Sequence, residues 1–423
     1  MRLLILWCWL VSGPGFAQSY TSYRTGADTS VVRLPAGGTC LMGGATEDDN
    51  AMRWFLQRAA GGDVLVLRAT GADGYNDYFY DELGVAVNSV ETLVLHEAAA
   101  TQAAYVRRRI DEAEAIWLAG GNQATYVSEW RGTDGLDSLL NAAVNLRRAV
   151  IGGTSAGMAI LGQGYFAATN GTVTSAAAIA DPYGPAVTVD TTAFLRLPHL
   201  ERILTETHFD NPDRRGRLLV FLARLYDAAL PYRGIACDEY TAVCIDAEGR
   251  ARVFGGYPTY DDFAYFVRPD CSLPDGAPEA LVPGQPLVWD HGGTAVHAYR
   301  LPGTPGGIHS FELPTWTGDG GTDLHWSVGA MGFRSASAPG PPDCAPVATE
   351  RPAAPAVRLV PQPATGSFRL RGHRPTGPVV LYDLGGRPVR RWAHADGPLS
   401  VAGLPGGVYL LRAGVLRLRL SVQ

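Results

Sequence analysis

The sequence predicts an α/β protein: a mostly parallel sheet covered by helices, followed by a β-rich extension and a small β domain. Three observations carry this. Short apolar runs alternate with helix-period segments between residues 38 and 256. Glycine (51) and proline (29) are plentiful among the 423 residues and only 18% are charged, which suits many turns and excludes a coiled coil. Hydrophobic residues make up 46%, enough for one large core and one or two smaller modules.

Taken in order, Thr39-Cys40-Leu41-Met42 is a short strand ending in Gly43-Gly44, and residues 50–60 have helical spacing. Residues 63–67 and 92–95 have the composition of buried strands. Residues 105–113 are helical, and 115–118 form a strand that runs into Gly120-Gly121-Asn122-Gln123. Residues 136–147 are a helix, and 149–151 a strand that runs into Gly152-Gly153-Thr154-Ser155. In parallel sheets the functional loops lie at the carboxyl ends of strands, where both Gly-rich turns fall.

Beyond Pro258 the helical period disappears, and residues 258–335 read as short antiparallel strands. Residues 336–355 have the Pro-rich composition of a linker. Residues 356–423 are again β-only and strongly basic, with Gly385-Gly386 and Gly406-Gly407 at turns. The boundaries are therefore 1–17, 18–257, 258–335, 336–355 and 356–423.

The net charge of −6, with no basic run before the last stretch, gives no reason to expect a nucleic-acid partner. Every basic residue other than histidine is arginine. Residues 1–17 read as a secretory signal: Arg2 is the positive end, residues 3–11 the apolar core, and Gly15-Phe16-Ala17 the cleavage site. That apolar run is shorter than the ~20 residues a spanning helix needs, and no other segment reads as transmembrane. Export permits disulfides. Cys40 lies in an apolar strand and reads as a buried free thiol. Cys237 and Cys244 fall on successive strands, Cys271 and Cys344 in loop-like sequence suited to stapling an appended module. Spacing does not settle the pairing.

Gly-Thr-Ser-Ala-Gly at 153–157 lies between a strand and an apolar helix-like stretch. By itself it serves equally as a tight turn with a capping serine or as a nucleophile elbow that lifts Ser155 into the open. A helix N-terminus behind the serine would favour an oxyanion. A nucleophilic serine needs a base, and the base an orienting group. His208, in Thr-Glu-Thr-His-Phe-Asp, is either that base or an ordinary polar residue before a helix. Glu239, in Cys-Asp-Glu-Tyr, is either the orienting carboxylate or part of a solvated turn, and Asp238 competes for its role. A metal centre is not expected. There is no His-Glu-x-x-His, and Asp290-His291 with His297 is too sparse a ligand set.

In order, these motifs resemble the cyanophycinase/dipeptidase E serine peptidases: Gly120-Gly121-Asn122-Gln123, the 153–157 motif, His208-Phe209 with an Arg-rich helix following, and residues 234–242. The resemblance covers roughly residues 38–257. It implies a class I glutamine amidotransferase-like fold with no cofactor and a peptide substrate. It further implies Ser155 as nucleophile, His208 as base and acid, Glu239 as orienting carboxylate, and the N–H groups of Gly121 and Ala156 as oxyanion hole. Gln123, Glu206, Arg214 and Arg217 would then face substrate. The sequence departs from cyanophycinases at Glu206-Thr207, where they carry Asp-Gln, and at Asp210-Asn211-Pro212-Asp213, where an Arg-bearing segment is expected. The C-terminal stretch, with Val380-Leu381-Tyr382-Asp383-Leu384-Gly385-Gly386 and Gly406-Gly407-Val408-Tyr409, resembles the sorting domain of type IX secretion in Bacteroidota. That likeness implies the secretion machinery as a partner and a secreted or cell-surface location reached through the periplasm.

Two other readings use the same residues. An α/β-hydrolase esterase would draw its acid from Asp181 or Asp190, in the order Ser, acid, His. A non-catalytic surface binding protein would keep the scaffold without the chemistry. The export reading predicts a chain that loses residues 1–17 and later its C-terminal domain. Mass spectrometry of culture medium and cell fractions checks this. Processed protein outside the cytoplasm is the expected result, and full-length chain found only in the cytoplasm contradicts it.

Overall fold

The structure is a computed structural model. It describes residues 18–132, 135–226, 231–273, 275–342, 344, 358–360, 364–371, 378–383, 388–394, 397–413 and 416–422. The expected signal at 1–17, most of the expected linker, and the Gly385-Gly386 turn lie outside the described residues. Two compact units result, residues 1–343 and 344–423.

The first unit begins with β1 (Tyr20–Gly26), β2 (Thr39–Met42), α1 (Asp49–Gln57), β3 (Asp63–Arg68), β4 (Ser89–Leu95), α2 (Ala104–Glu112), β5 (Ala115–Leu118), α3 (Gln123–Trp130), α4 (Leu136–Arg147) and β6 (Val150–Thr154). It continues through α5 (Ala156–Ala159), β7 (Tyr165–Phe166), α6 (Ser175–Ala180), β8 (Val189–Asp190), β9 (Ile203–Glu206), α7 (Arg215–Arg224), β10 (Arg233–Cys237), β11 (Ala242–Ile245) and β12 (Arg250–Phe254). Then come β13 (Phe263–Pro269), β14 (Val296–Pro302), β15 (Ser310–Glu312), β16 (Thr317–Asp319), β17 (Thr322–Gly329) and β18 (Gly332–Ser337).

Ten strands form the central sheet in the order β1-β4-β3-β5-β6-β2-β11-β12-β15-β16. The five in its middle, from β4 to β2, run parallel, and the flanking pairs are antiparallel. The parallel strands read as unbroken apolar runs because both of their faces are covered. Leu41, Leu65, Leu67, Ile116, Leu118 and Ile151 point into one core with α2, α3 and α4. Their neighbours Cys40, Met42, Val64, Val66, Trp117 and Val150 point into the other, against Met52, Phe55 and Leu56 of α1. Asp48 starts α1 by accepting hydrogen bonds from the N–H groups of Asn50 and Ala51.

A second sheet of the same unit has the order β18-β17-β14-β13-β10-β9. Residues 258–335 are rich in strands, yet they form no layer of their own. β13 pairs with β10, and β15 pairs with β12, so they widen the two sheets that bear the site. A third core, with Leu218, Phe221, Val267, Trp289 and Trp326, packs α7 against this second sheet.

The second unit holds β19 (Arg358–Val360), β20 (Ser367–Arg371), β21 (Val379–Tyr382), β22 (Pro388–Trp392), β23 (Leu399–Ser400), β24 (Gly407–Ala413) and β25 (Leu416–Val422). They make one sheet of three strands and one of four, around Phe368, Val379, Leu381, Leu399 and Leu411. Cys271 and Cys344 are disulfide-bonded, and Cys40, Cys237 and Cys244 are buried free thiols. No helix among the described residues is long and apolar enough to cross a membrane.

Candidate active site

The site is built at the carboxyl end of β2. Three successive carbonyls there each hold a different segment. Met42 O accepts from Ser155 N–H at 3.2 Å, Gly43 O from His208 N–H at 2.8 Å, and Gly44 O from Tyr240 N–H at 3.1 Å. The loops after β6, β9 and β10, far apart in sequence, are thereby brought to one point.

Ser155 sits between β6 and α5 with φ 53° and ψ −118°. That is a backbone region L-residues rarely occupy, and such strain collects at functional sites. The capping reading does not describe it: the Ser155 side chain makes no cap hydrogen bond. Its Oγ lies 2.8 Å from His208 Nε2, and His208 Nδ1 lies 2.6 Å from Glu239 Oε1. Desolvation pushes the Glu239 carboxyl up, but hydrogen bonds from His208 and Asn211 and the charge of Arg214 help hold the group below its ordinary value. An ionised carboxylate only accepts. Nδ1 therefore carries the imidazole proton, and Nε2 is free to accept the serine proton. His208 also has positive φ, 45°.

The glycine at 44 is required by this arrangement. Its φ is +125°, and a Cβ there would fall 2.3–2.8 Å from three atoms of the His208 ring. Gly120, in the turn after β5, is in contact range of Ser155, with 3.6 Å from its would-be Cβ to the serine Cβ. Gly121 follows in the same turn, and Ala156 begins α5. That helix has only four residues, so it supplies little dipole, and stabilisation of an oxyanion would fall to individual N–H groups.

Glu239 is held from both sides. Asn211 Nδ2 donates to Glu239 Oε2 at 3.2 Å, and Glu239 N–H donates to Asp210 Oδ1 at 2.8 Å. Neither Asp210 nor Asn211 was singled out by the sequence for a role; their only signal was a departure from the family's pattern. Asp238 is 4% exposed and turned away, with Phe263 N–H donating to its Oδ2. Burial and then the nearby Asp210 push its carboxyl up to about 8.

The expected substrate-facing set divides. Glu206 and Arg217, each 3% exposed, do not face an open site. They form a two-point pair, Nη2 to Oε1 at 2.6 Å and Nε to Oε2 at 3.1 Å. Arg217 Nη1 donates to Val173 O and Thr172 Oγ1, and the guanidinium lies over Phe166. A buried charge needs a partner, and each of these residues is the other's. Arg214 differs. Nη1 donates to Thr207 O at 2.8 Å, and the side chain is 19% exposed. Its Nε has no hydrogen-bond partner among the described residues. Gln123 opens α3, with Nε2 3.4 Å from Phe166 O.

Asp190 bonds Tyr165 and Arg131, and Asp181 bonds the N–H groups of Tyr183 and Gly284. Neither is joined to His208, so the esterase order of residues lacks its acid. No group of three or more metal-ligating side chains occurs among the described residues.

Residues 49–249 match the family model described as peptidase family S51. A cyanophycinase of Synechococcus elongatus is 27% identical over 209 residues, 48% of this chain and 59% of its own length. One of Trichormus variabilis is 25% identical over 176 residues, 42% of this chain and 53% of its own. The chain thus spans a little over half the length of the curated relatives it matches. A crystal structure of a peptidase from an acI-B1 Actinobacterium has a TM-score of 0.39 at 14% identity, covering 53% of this chain and 89% of that one. The likenesses are thus to a peptidase family and to cyanophycinases, each over about half of this chain or less.

The two neighbouring carboxylates are expected to behave oppositely. Glu239→Gln should lower kcat by about 10⁴, by analogy with serine proteases, while Asp238→Asn should lose far less. The linkage is also testable. Asp238 is protonated in the folded state up to about pH 8 but ionises near 3.8 when unfolded. The folded state therefore binds more protons across that window, and stability falls as pH rises through it. Denaturation of Asp238→Asn should show a flatter pH dependence between those limits. A variant with an unchanged slope, or a reversed ranking of the two activities, contradicts the assignment.

Proposed function

We propose that the chain is an exported serine peptidase that hydrolyses aspartyl peptide bonds, with cyanophycin or β-aspartyl peptides favoured. The single observation that carries this is the hydrogen-bonded line from Ser155 Oγ through His208 to Glu239, at 2.8 and 2.6 Å. In the proposed reaction His208 Nε2 takes the proton of Ser155 as Oγ attacks the scissile carbonyl. Glu239 stabilises the imidazolium, and the N–H groups of Gly121 and Ala156 receive the oxyanion. His208 then gives the proton to the leaving amine, and water releases the acyl group by the same route reversed. In this reading the scaffold is class I glutamine amidotransferase-like. The second unit is a small β-sandwich that addresses the chain to type IX secretion.

Cyanophycin has a polyaspartate backbone with arginine joined through side-chain amides, so its site must hold both carboxylate and guanidinium. Arg214, whose side chain is 19% exposed, is the cation available for an aspartate carboxylate. Asp210, exposed beside Glu239, is an acid suited to a guanidinium. Glu206 and Arg217 serve in this reading as the buried brace beneath Arg214, which lies 3.8 Å from Glu206.

The test is to incubate the purified full chain with cyanophycin, with α- and β-aspartyl dipeptides, and with aryl esters, and to follow released amine and alcohol. Amine release from the aspartyl substrates, absent in Ser155→Ala and with KM raised in Arg214→Met, is the expected result. Ester hydrolysis without amide hydrolysis would favour the esterase, and no turnover of any substrate would favour the binding protein.

A further inference from the structure

Cys40 and Cys244 are direct register partners across the antiparallel pair of β2 and β11. One step beyond that pair's end, Gly43 N–H donates to Thr241 O at 2.9 Å. Hydrogen-bonded and non-hydrogen-bonded pairs alternate along an antiparallel ladder. Counting back from Gly43 and Thr241 makes Cys40 and Cys244 a non-hydrogen-bonded pair, whose Cα atoms lie about 4.5 Å apart in such ladders. This falls within the roughly 4.4–6.8 Å that a disulfide spans. The two Sγ atoms are already 3.5 Å apart. Both side chains are buried in the core beneath the carboxyl end of β2. The third free thiol, Cys237, is turned to the Leu41 carbonyl, with Sγ 3.6 Å from its oxygen. Elsewhere in the chain Cys271 and Cys344 are disulfide-bonded, and the inference rests on the export reading, under which the chain folds where thiols are oxidised.

We propose that Cys40 and Cys244 are a disulfide-forming pair, a cross-strand clamp that ties β2 to β11 directly behind the catalytic serine, histidine and glutamate. The oxidant is a small-molecule or protein disulfide. One cysteine thiolate attacks an oxidant sulfur and expels one thiolate. The second cysteine thiolate then attacks the mixed disulfide at the first cysteine's sulfur and expels the other. In all, two thiols lose two protons and two electrons, and the oxidant disulfide is reduced to two thiols. Full burial raises the Cys244 thiol well above its ordinary value, so little thiolate exists once the core has closed. The bond therefore forms while the chain folds, when both sulfurs still meet solvent.

The clamp has a consequence for the site. The carbonyls that hold Ser155, His208 and Tyr240 follow Cys40 in the chain by two to four residues. A covalent tie there joins two strands whose cysteines are far apart in sequence and restricts the unfolded chain over that whole loop.

To test this, the full chain is refolded in a mixture of reduced and oxidised glutathione, alkylated under denaturing conditions and digested without reduction. The expected result is a Cys40–Cys244 linked peptide, lighter by two hydrogens than its parts, with Cys237 fully alkylated. In Cys40→Ala, Cys244 should become alkylated in turn. Reductant should also lower the thermal midpoint of the wild type more than that of Cys40→Ala/Cys244→Ala. Complete alkylation of Cys40 and Cys244 in the wild type, with only Cys271 and Cys344 protected, would overturn the proposal, as would a link of either to Cys237. The peptide map needs no variant to fold and does not depend on the peptidase reading.

Discussion

Three carbonyl groups in a row, on Met42, Gly43 and Gly44, set the geometry of the site. β2, the last of the parallel strands, has a parallel neighbour on one edge and an antiparallel one on the other, so it is held on both edges up to its last residue. Where β2 ends, its backbone oxygens are free to accept from elsewhere, and they accept from the loops that carry the serine, the histidine and the glutamate. β2 is paired with β6 on one side and β11 on the other, so this end is anchored by two ladders. Ser155, His208 and Glu239 come from loops, but their positions are dictated by the buried end of β2 that those loops bond to.

The arrangement is tight enough to specify residues that do no chemistry. Gly44 has no side chain because the His208 ring occupies the place where one would go. Gly43 faces the Asp238 carbonyl, 2.0 Å from where its own Cβ would be. Ser155, His208 and Tyr240 all have positive φ without being glycine, a conformation that costs about 1–3 kcal/mol per residue. The surrounding hydrogen bonds and packing offset that cost. Below this layer the Glu206–Arg217 pair fixes the start of α7, and Arg214 rides on it through the Thr207 carbonyl.

Much of this was legible in the sequence, for a physical reason. The alternation of apolar runs and helical periods follows from sheet and helix geometry, so the parallel centre of the sheet could be read strand by strand. The elbow at Ser155 is local, since the strand, the glycines and the turn lie within a few residues. Glu239 could be preferred over Asp238 only by family likeness, because adjacent carboxylates on a turn look alike until one is known to be buried. The burial of Glu206 and Arg217 was not legible for the same cause. Glu206 and Arg217 lie at the end of a strand and on a helix, and composition does not say that they close on each other away from solvent. The placement of β13 and β15 was not readable either. Antiparallel additions to a sheet edge are non-local, and residues 258–335 resemble a separate extension until their partners are known.

The most direct test of the account is where a fluorophosphonate attaches, read by intact mass and peptide mapping. The account predicts a single adduct on Ser155 in the wild type. It predicts none in Gly44→Ala, which keeps Ser155 and Glu239 but puts a methyl group into the space of the His208 ring, provided circular dichroism shows the variant folded. Labelling of another serine, or equal labelling of Ser155 in folded Gly44→Ala, would contradict the claim that the end of β2 holds a working Ser155–His208–Glu239 line.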